Sequence, residues 1–569
     1  MPAKKNQDNM TYIDFEGKRI DIPVGSTLLE VALKGTMKVK DPKTGKKYPV
    51  LAALVDNKLK ELNYKVFYPH DVRLIGYNHP DGRRTYIRSL VFVLQNAVRK
   101  IFPNKTLIVQ HSLPSGIYCE IEDVYGLYEI SEREIGNLKE EMARIIAADL
   151  PFSRVKMAAA EAEAIFEANH QPLKAELQRS LGKHYCSVYY LDGNPDSMHG
   201  PLVPSSGWLD VFDLMPFCDG FCLQFPHNED ITKVVPYREQ DKLSGCLREY
   251  SKWCRSMEVE GIGSVNRSLL EGKAVELINL CEAHQEREYA RLADKIHQES
   301  SRIRIVFIAG PSSSGKTSSS LRIAQQCQVV GLKPKVIELD NYFLERDRTP
   351  RDEDGNYNFE ALEAMDLDLL NEHLNALLDG REVEIPRYDF KKGAPVFEGD
   401  MMRLGPDDIL LMEGIHALDP QMVAGVDQSR IYRVYVSALT SLHLDENCNL
   451  STTDNRLLRR IVRDNRVRGI IPEETIFRWP SVRRGEREYI FPFQEHADAF
   501  FNSALLYELP LLKYYAEPLL LRIRPDSPSY SEAVRLLKFL EYIVPLQPSE
   551  IAAIPPTSIM REFIGGQTL

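Results

Sequence analysis

The chain has 569 residues, 43% hydrophobic and 27% charged, a composition that supports sizeable buried cores. At ~150 residues per domain the length predicts roughly three or four domains. Lys and Arg number 71 against 82 Asp and Glu, a formal charge of −11, so the whole molecule lacks the basic profile of a nucleic-acid binder. No apolar run approaches the ~18 residues that cross a bilayer, and the start, MPAKKNQDN, has no apolar h-region. The nine cysteines are scattered and form no CxxC pair, which leads us to expect reduced thiols and a cytoplasmic protein. Cys218, Cys222 and His227 lie close together but fall short of the two ligand pairs of structural zinc, so the two cysteines are read as small buried hydrophobes.

Residues 11–76 read as a small α/β unit of the β-grasp type. YIDFEGKRIDIPV alternates like two strands joined at Gly17. Ser26 and Thr27 are good cap types before a short helix, LLEVALKG, that should end at Gly35. A polar loop, KDPKTGKKYPV, precedes a hairpin expected to turn at Asp56–Asn57. Residues 78–230 form a second, α+β unit. Its helices are predicted in SLVFVLQNAVRKIF, EREIGNLKEEMARIIAADL and KMAAAEAEAIFEANHQPLKAELQRSL, with a strand in HYCSVYYLDG. Residues 231–299 are expected to be a linker and helix: a polar, mixed junction over 231–267, then a charged helix around ELINLCEAHQEREYARLADKIHQES. From residue 300 to 525 strands and helices alternate, which predicts a mostly parallel sheet covered on both faces. Residues 526–569 remain as a C-terminal extension.

The most specific motif opens this last unit. Gly310, Pro311, Ser312, Ser313, Ser314, Gly315, Lys316 and Thr317 fit G-x-x-x-x-G-K-[ST] in full, between the buried-strand run IRIVFIA and a helix that continues from Ser318. The glycines let backbone N–H groups curl toward phosphate oxygens, and the helix N-terminus adds favourable partial charge. Lys316 then supplies a cation for the β/γ-phosphates and Thr317 a hydroxyl for Mg²⁺. This points to a nucleoside triphosphate. No N-K-x-D follows the later strands, which argues against a GTPase.

Downstream residues narrow the chemistry. Asp340 closes the run KPKVIELD, at a strand end where ligands of open parallel sheets collect; there a carboxylate can take the proton of an attacking hydroxyl or simply cap a turn. Phe359, Tyr388 and Phe390 offer flat apolar faces, with Glu360 and Asp389 beside them, although such aromatics also serve as core. Glu413 ends another buried run, DILLME, in a place to orient Mg²⁺ or its waters. Arg456, Arg459 and Arg463, spaced i, i+3, i+7, share one helical face, as in a lid that brings guanidiniums to phosphates or in a plain solvated helix.

Residues 300–525 resemble the uridine kinase and phosphoribulokinase family through GPSSSGKT, LDNYF, DGNYNFEALEAMDLDLL, IPRYDF, LLMEGIHAL and D-x-RLLRRIVRD. The resemblance implies an ATP- and Mg²⁺-dependent kinase of a small-molecule hydroxyl, most simply the 5′-hydroxyl of uridine or a relative. It implies Asp340 as general base, Phe343, Phe359, Tyr388 and Phe390 around a nucleoside, Glu360 where the family usually has an Asp near the ribose hydroxyls, and Arg456 and Arg459 as lid arginines. One departure is informative. The family often has a His shortly after YDF that helps read the pyrimidine edge; here Lys391-Lys392-Gly393-Ala394 follows. Two alternatives therefore stay open: another small hydroxyl acceptor, or a nucleotide-switched protein that associates with RNA or the ribosome.

The front half resembles threonyl-tRNA synthetases: residues 11–76 their TGS domain, and residues 78–230 the following editing-type domain through IRSLVFVLQNAV and MHGPLVPSSGWLDVFDL. The synthetase pattern carries H-x-x-x-H and a later Cys/His pair. Here Arg88, Phe92, Met198 and Leu202 stand at those positions. Phe, Met and Leu cannot act as hydrolytic bases, so the editing chemistry is expected to be absent. His199 is read as a structural or surface residue. The front half is then a scaffold, a regulatory module or an RNA-binding relic.

Overall fold

The computed structural model describes residues 10–15, 17–34, 37–42, 44–228, 230–351, 355, 357–389 and 391–569. The first unit is a mixed sheet in the order Lys18–Pro23, Met10–Phe15, His70–Gly76, Lys47–Val55, Lys38–Lys40, with the helix Leu28–Lys34 packed against it. Met10–Phe15 pairs in parallel with His70–Gly76, and the other pairings are antiparallel. The hairpin of Lys47–Val55 with Lys58–Lys60 turns at Asp56 and Asn57, which sit at φ +48° and +56°, the left-handed pair that a two-residue turn between twisted strands needs. The expected helix stop at Gly35 lies outside the described residues.

The second unit is built on the helix Pro80–Ile101, buried along most of its length. It packs with the helix Glu132–Ala147 and an antiparallel sheet in the order Asp213–Phe217, Gly220–Gln224, Gly116–Asp123, Thr106–Leu113. Ser131 opens Glu132–Ala147 with a reciprocal capping box to Glu134. The run beginning at Lys156, expected as helix throughout, starts as the strand Ser153–Ala158 and then splits into the helices Ala159–Ala168 and Pro172–Leu181; Pro172 cannot continue the first helix but suits the first turn of the second. Phe92, Met198 and Leu202 lie together in this unit's hydrophobic core, and Arg88 donates to the Pro201 carbonyl at 2.8 Å. Cys222 is buried as expected, whereas Cys218 is exposed.

Residues 231–299 hold the expected charged helix, Ala274–Gln298, and are helical over much of the expected junction as well. They contain the helices Asp241–Ser256, Ile262–Leu270 and Ala274–Gln298. Tyr250, Cys254, Ile262 and Ile278 of these helices share one core with Leu457, Leu506 and Phe563. The polar composition that suggested a junction belongs to the outer faces of amphipathic helices.

The last unit centres on five parallel strands in the order Lys333–Glu338, Asp408–Glu413, Ile305–Ala309, Ile431–Ser437, Ala499–Asn502. Ile305–Ala309 is fully buried, as its unbroken apolar run requires in a sheet covered on both faces. The chain leaves this strand toward one edge and later returns to the other. Its C-terminal end is therefore a topological switch point, where ligands of such sheets bind. The C-terminal extension is not a free tail: Tyr530–Leu540, Pro548–Ala552 and Met560–Ile564 are helices on the same core.

A hairpin of this unit, His443–Asp445 with Cys448–Asn449, reaches into the second unit. The Glu446 carboxylate accepts from Leu173 N at 2.6 Å and Lys174 N at 3.2 Å, capping Pro172–Leu181 where its free N–H groups favour an anion. His199, expected at the surface or in a structural role, lies 2.5 Å from Asp445, and Lys174 pairs with Asp196 at 2.6 Å. Among the described residues no helix is long and apolar enough to cross a membrane.

Candidate active site

The phosphate-loop segment joins Ile305–Ala309 to the helix Lys316–Val329. Two of its residues lie at positive φ, Ser313 at +58° and Gly315 at +84°. Gly310 is required for another reason. A Cβ there would lie 2.0 Å from the Val436 carbonyl, because the loop crosses the neighbouring strand at backbone contact. Gly310→Ala is expected to lose about 1–3 kcal/mol or more and nucleotide binding together, measured by thermal unfolding with and without ATP.

The Ser313 and Ser314 hydroxyls are buried with no hydrogen-bond partner among the described residues, as befits a polar cradle. Lys316 lies in the first turn of the helix, its Nζ 3.5 Å from the Pro311 carbonyl. The Thr317 hydroxyl donates to Glu413 Oε1 at 2.8 Å. A hydroxyl beside one carboxylate fits Mg²⁺, which keeps several waters and takes its remaining oxygens from substrate phosphates; no group of three or more ligating side chains poised for a metal occurs among the described residues.

Asp340 sits in the single turn Leu339–Tyr342 that directly follows Lys333–Glu338. Burial raises its pKa; Lys316 is the strongest opposing influence, and Glu338 adds to the rise. Burial also lifts Glu413 to about 7, against the pull of Lys316 and with a push from Asp340. Glu360 is likewise lifted by burial to about 7, with Glu486 next as a like charge and Arg460 and Lys316 opposing. The charge of Lys316 opposes the rise at all three carboxylates. Phe343 meets Phe359 edge-on at 6.1 Å and Tyr388 at 5.8 Å, and Phe359 stays partly exposed, forming an aromatic corner beside Asp340. Phe390 lies outside the described residues. Asp389 Oδ1 accepts from the backbone N–H groups of Lys391 and Lys392 at 2.9 and 3.1 Å, closing the turn that follows.

The expected lid arginines are placed differently from the expectation. Arg456 is 1% exposed and forks onto Glu486 at 2.7–2.8 Å. Arg459 is 0% exposed, bound to Glu508 and 3.4 Å from the Ser313 and Ser314 carbonyls. Each guanidinium is neutralised by a carboxylate from a distant segment. On the same helix, Thr452–Arg468, Arg460 donates to Ser312 Oγ at 2.7 Å, and Arg468 pairs with Asp464 at 3.4 Å and draws the Asp340 pKa down. Glu486 also accepts from Ser312 N at 3.1 Å. Arg460 lies inside the D-x-RLLRRIVRD motif, whereas Glu486, Arg468 and Glu508 carry no motif. For these the only sequence signal was the excess of arginine in one helix.

A parallel sheet with this loop at its switch point defines a P-loop nucleotide-binding fold. Residues 305–506 match the family model for the phosphoribulokinase/uridine kinase family. A uridine kinase of Halobacterium salinarum is 33% identical over 194 residues, 34% of this chain and 77% of that protein. One from Oceanobacillus iheyensis is 31% identical over 196 residues, 34% and 83%. The chain belongs to the phosphoribulokinase/uridine kinase family. Its front half is similar to threonine–tRNA ligases: that of Desulforamulus reducens is 30% identical over 220 residues, 38% of this chain but only 33% of the ligase, so the chain spans about a third of that relative.

Proposed function

We propose that this chain is an ATP- and Mg²⁺-dependent kinase that phosphorylates the 5′-hydroxyl of uridine or a closely related nucleoside. The observation that supports the reading is the phosphate loop, with its Thr317–Glu413 pair, at the switch point of the parallel sheet, next to the turn that carries Asp340 and leads into an aromatic corner. Asp340 takes the proton as the acceptor oxygen bonds to the γ-phosphorus and the bond to the β,γ-bridging oxygen breaks, releasing ADP. Lys316 and Arg460 offset charge on the phosphates. Thr317 and Glu413 would hold Mg²⁺, which supplies Lewis-acid neutralisation of the phosphate oxygens. Phe343, Phe359 and Tyr388 orient the base, and Glu360 takes the ribose hydroxyls.

A second reading, a different small hydroxyl acceptor, is favoured by one observation: the segment after Tyr388 forms a lysine-bearing turn closed on Asp389 and supplies no histidine to a base edge. Labelled ATP with a panel of nucleosides, sugars and sugar phosphates tests both. Transfer to uridine or cytidine at least tenfold faster than to any sugar is the expected result. Transfer to a sugar alone replaces the acceptor, and ATP binding without transfer to any acceptor overturns the kinase reading.

A further inference from the structure

The C-terminal segment lies beyond the matched residues 305–506, yet it touches the phosphate loop. A Cβ on Gly315 would lie 2.3 Å from Ile559 Cδ1, so that isoleucine packs on the bare backbone of the loop. The Ser318 hydroxyl, 1% exposed, donates to Glu562 Oε2 at 2.6 Å and accepts from Gln567 Nε2 at 2.8 Å. Arg466, near the end of the arginine-rich helix, donates to the carbonyls of Phe563 at 3.0 Å and Glu562 at 2.8 Å. The Arg459 guanidinium lies 5.0 Å from the centre of the Phe563 ring. Gly565 and Gly566, at φ +96° and +79°, turn the chain so that Gln567 comes back to Ser318.

These contacts fall at one end of the cradle. Lys316 serves the β/γ side of a triphosphate. The chain then runs through Thr317 into Ser318, so Ser318 marks the α-phosphate side, where the nucleoside begins. The Ser318 hydroxyl spends its one hydrogen on Glu562 Oε2, and Glu562 Oε1 and the Gln567 side-chain carbonyl are acceptors to which the structure gives no other partner among the described residues. Acceptors at that place suit hydrogen-bond donors, which the nucleoside end of the donor nucleotide has in its ribose hydroxyls and exocyclic amine and which a bare polyphosphate lacks.

We propose that the C-terminal segment Ser558–Leu569 completes the donor-nucleotide site, with Glu562 and Gln567 binding the nucleoside end of ATP. The proposal rests on the nucleotide-site reading of the loop. The test measures binding of Mg–ATP and of Mg–tripolyphosphate to the full chain by calorimetry, for the wild type, Gln567→Ala, Glu562→Ala and Lys316→Ala. Gln567 is half-buried and lies outside the hydrophobic core, so its substitution leaves the core intact; unfolding curves confirm this for both tail variants. Loss of one or two hydrogen bonds to the ligand should weaken ATP binding about three- to tenfold while tripolyphosphate binds as before. Unchanged ATP affinity in both tail variants overturns the proposal. So does tighter ATP binding, which would make the segment a plug, and so does an equal loss for both ligands, which would make it a support for the loop. If Lys316→Ala leaves both ligands bound as in the wild type, the nucleotide-site reading itself fails, an outcome distinct from all of these.

Discussion

Asp340→Asn should lower phosphoryl transfer by about 10²–10⁴, the usual contribution of a positioned general base, while the protein stays folded and binds ATP. Asparagine keeps the shape and removes the charge, and in this protein the charge is unfavourable to folding. Burial holds the Asp340 pKa above its ordinary value, so the folded state favours the protonated acid. The sign follows from linkage: this group's contribution to stability is complete below its unfolded pKa and is lost as pH rises through the higher folded pKa. At neutral pH the variant should therefore melt at the same temperature as the wild type or higher. The rate should show the opposite trend. Wild-type turnover rises as Asp340 deprotonates, and the residual turnover of the variant lacks that acidic limb. Lower turnover with lower stability would instead mark Asp340 as a structural cap, and unchanged turnover would remove it from the chemistry.

The features legible in the sequence were those set by local pattern. The run Ile305–Ala309 had to be a buried strand, Gly310–Thr317 had to be a phosphate loop, and Asp56–Asn57 had to turn, because each depends on neighbours a few residues away. The aromatic corner was legible through family resemblance, and Phe343 and Tyr388 do meet. Other features depend on which distant segment folds over which. Leu457, Leu458, Ile461 and Val462 mark one buried face of Thr452–Arg468. Helical geometry puts Arg456 on the opposite side, which for a surface helix means solvent. The helix is instead covered on that side as well, and Glu486 and Glu508 supply the countercharges. Nothing local to the helix announces them. The polar stretch 231–267 misled for a similar reason. Its helices, Asp241–Ser256 and Ile262–Leu270, bury narrow stripes, and a stripe such as Leu243, Leu247, Tyr250 and Cys254 is lost when composition is averaged along the chain.

Arg459→Ala should cost about 3–5 kcal/mol, because it strands the Glu508 carboxylate in a dry interior. Arg459 and Glu508 are 0% and 1% exposed, so water cannot compensate. Against a total of about 5–15 kcal/mol, a loss of that size shows directly in urea unfolding. A catalytic lid arginine predicts the opposite pattern, a fall in turnover with stability unchanged. The double replacement Arg459→Met with Glu508→Leu separates the two. Exchanging a buried ion pair for apolar groups of similar volume is often neutral or stabilising, so the double variant should recover most of the lost stability. It should not recover full ATP affinity. The guanidinium also lies 3.4 Å from the Ser313 and Ser314 carbonyls, and the Ser503 hydroxyl donates to that Ser314 carbonyl at 2.5 Å, so the pair holds the loop's carbonyls turned toward the core and leaves its N–H groups for phosphate. A double variant with recovered stability but weakened ATP binding identifies Arg459 as the residue that sets the loop's conformation. Recovery of both reduces it to a core ion pair. Recovery of stability with intact ATP binding but abolished transfer returns it to the lid.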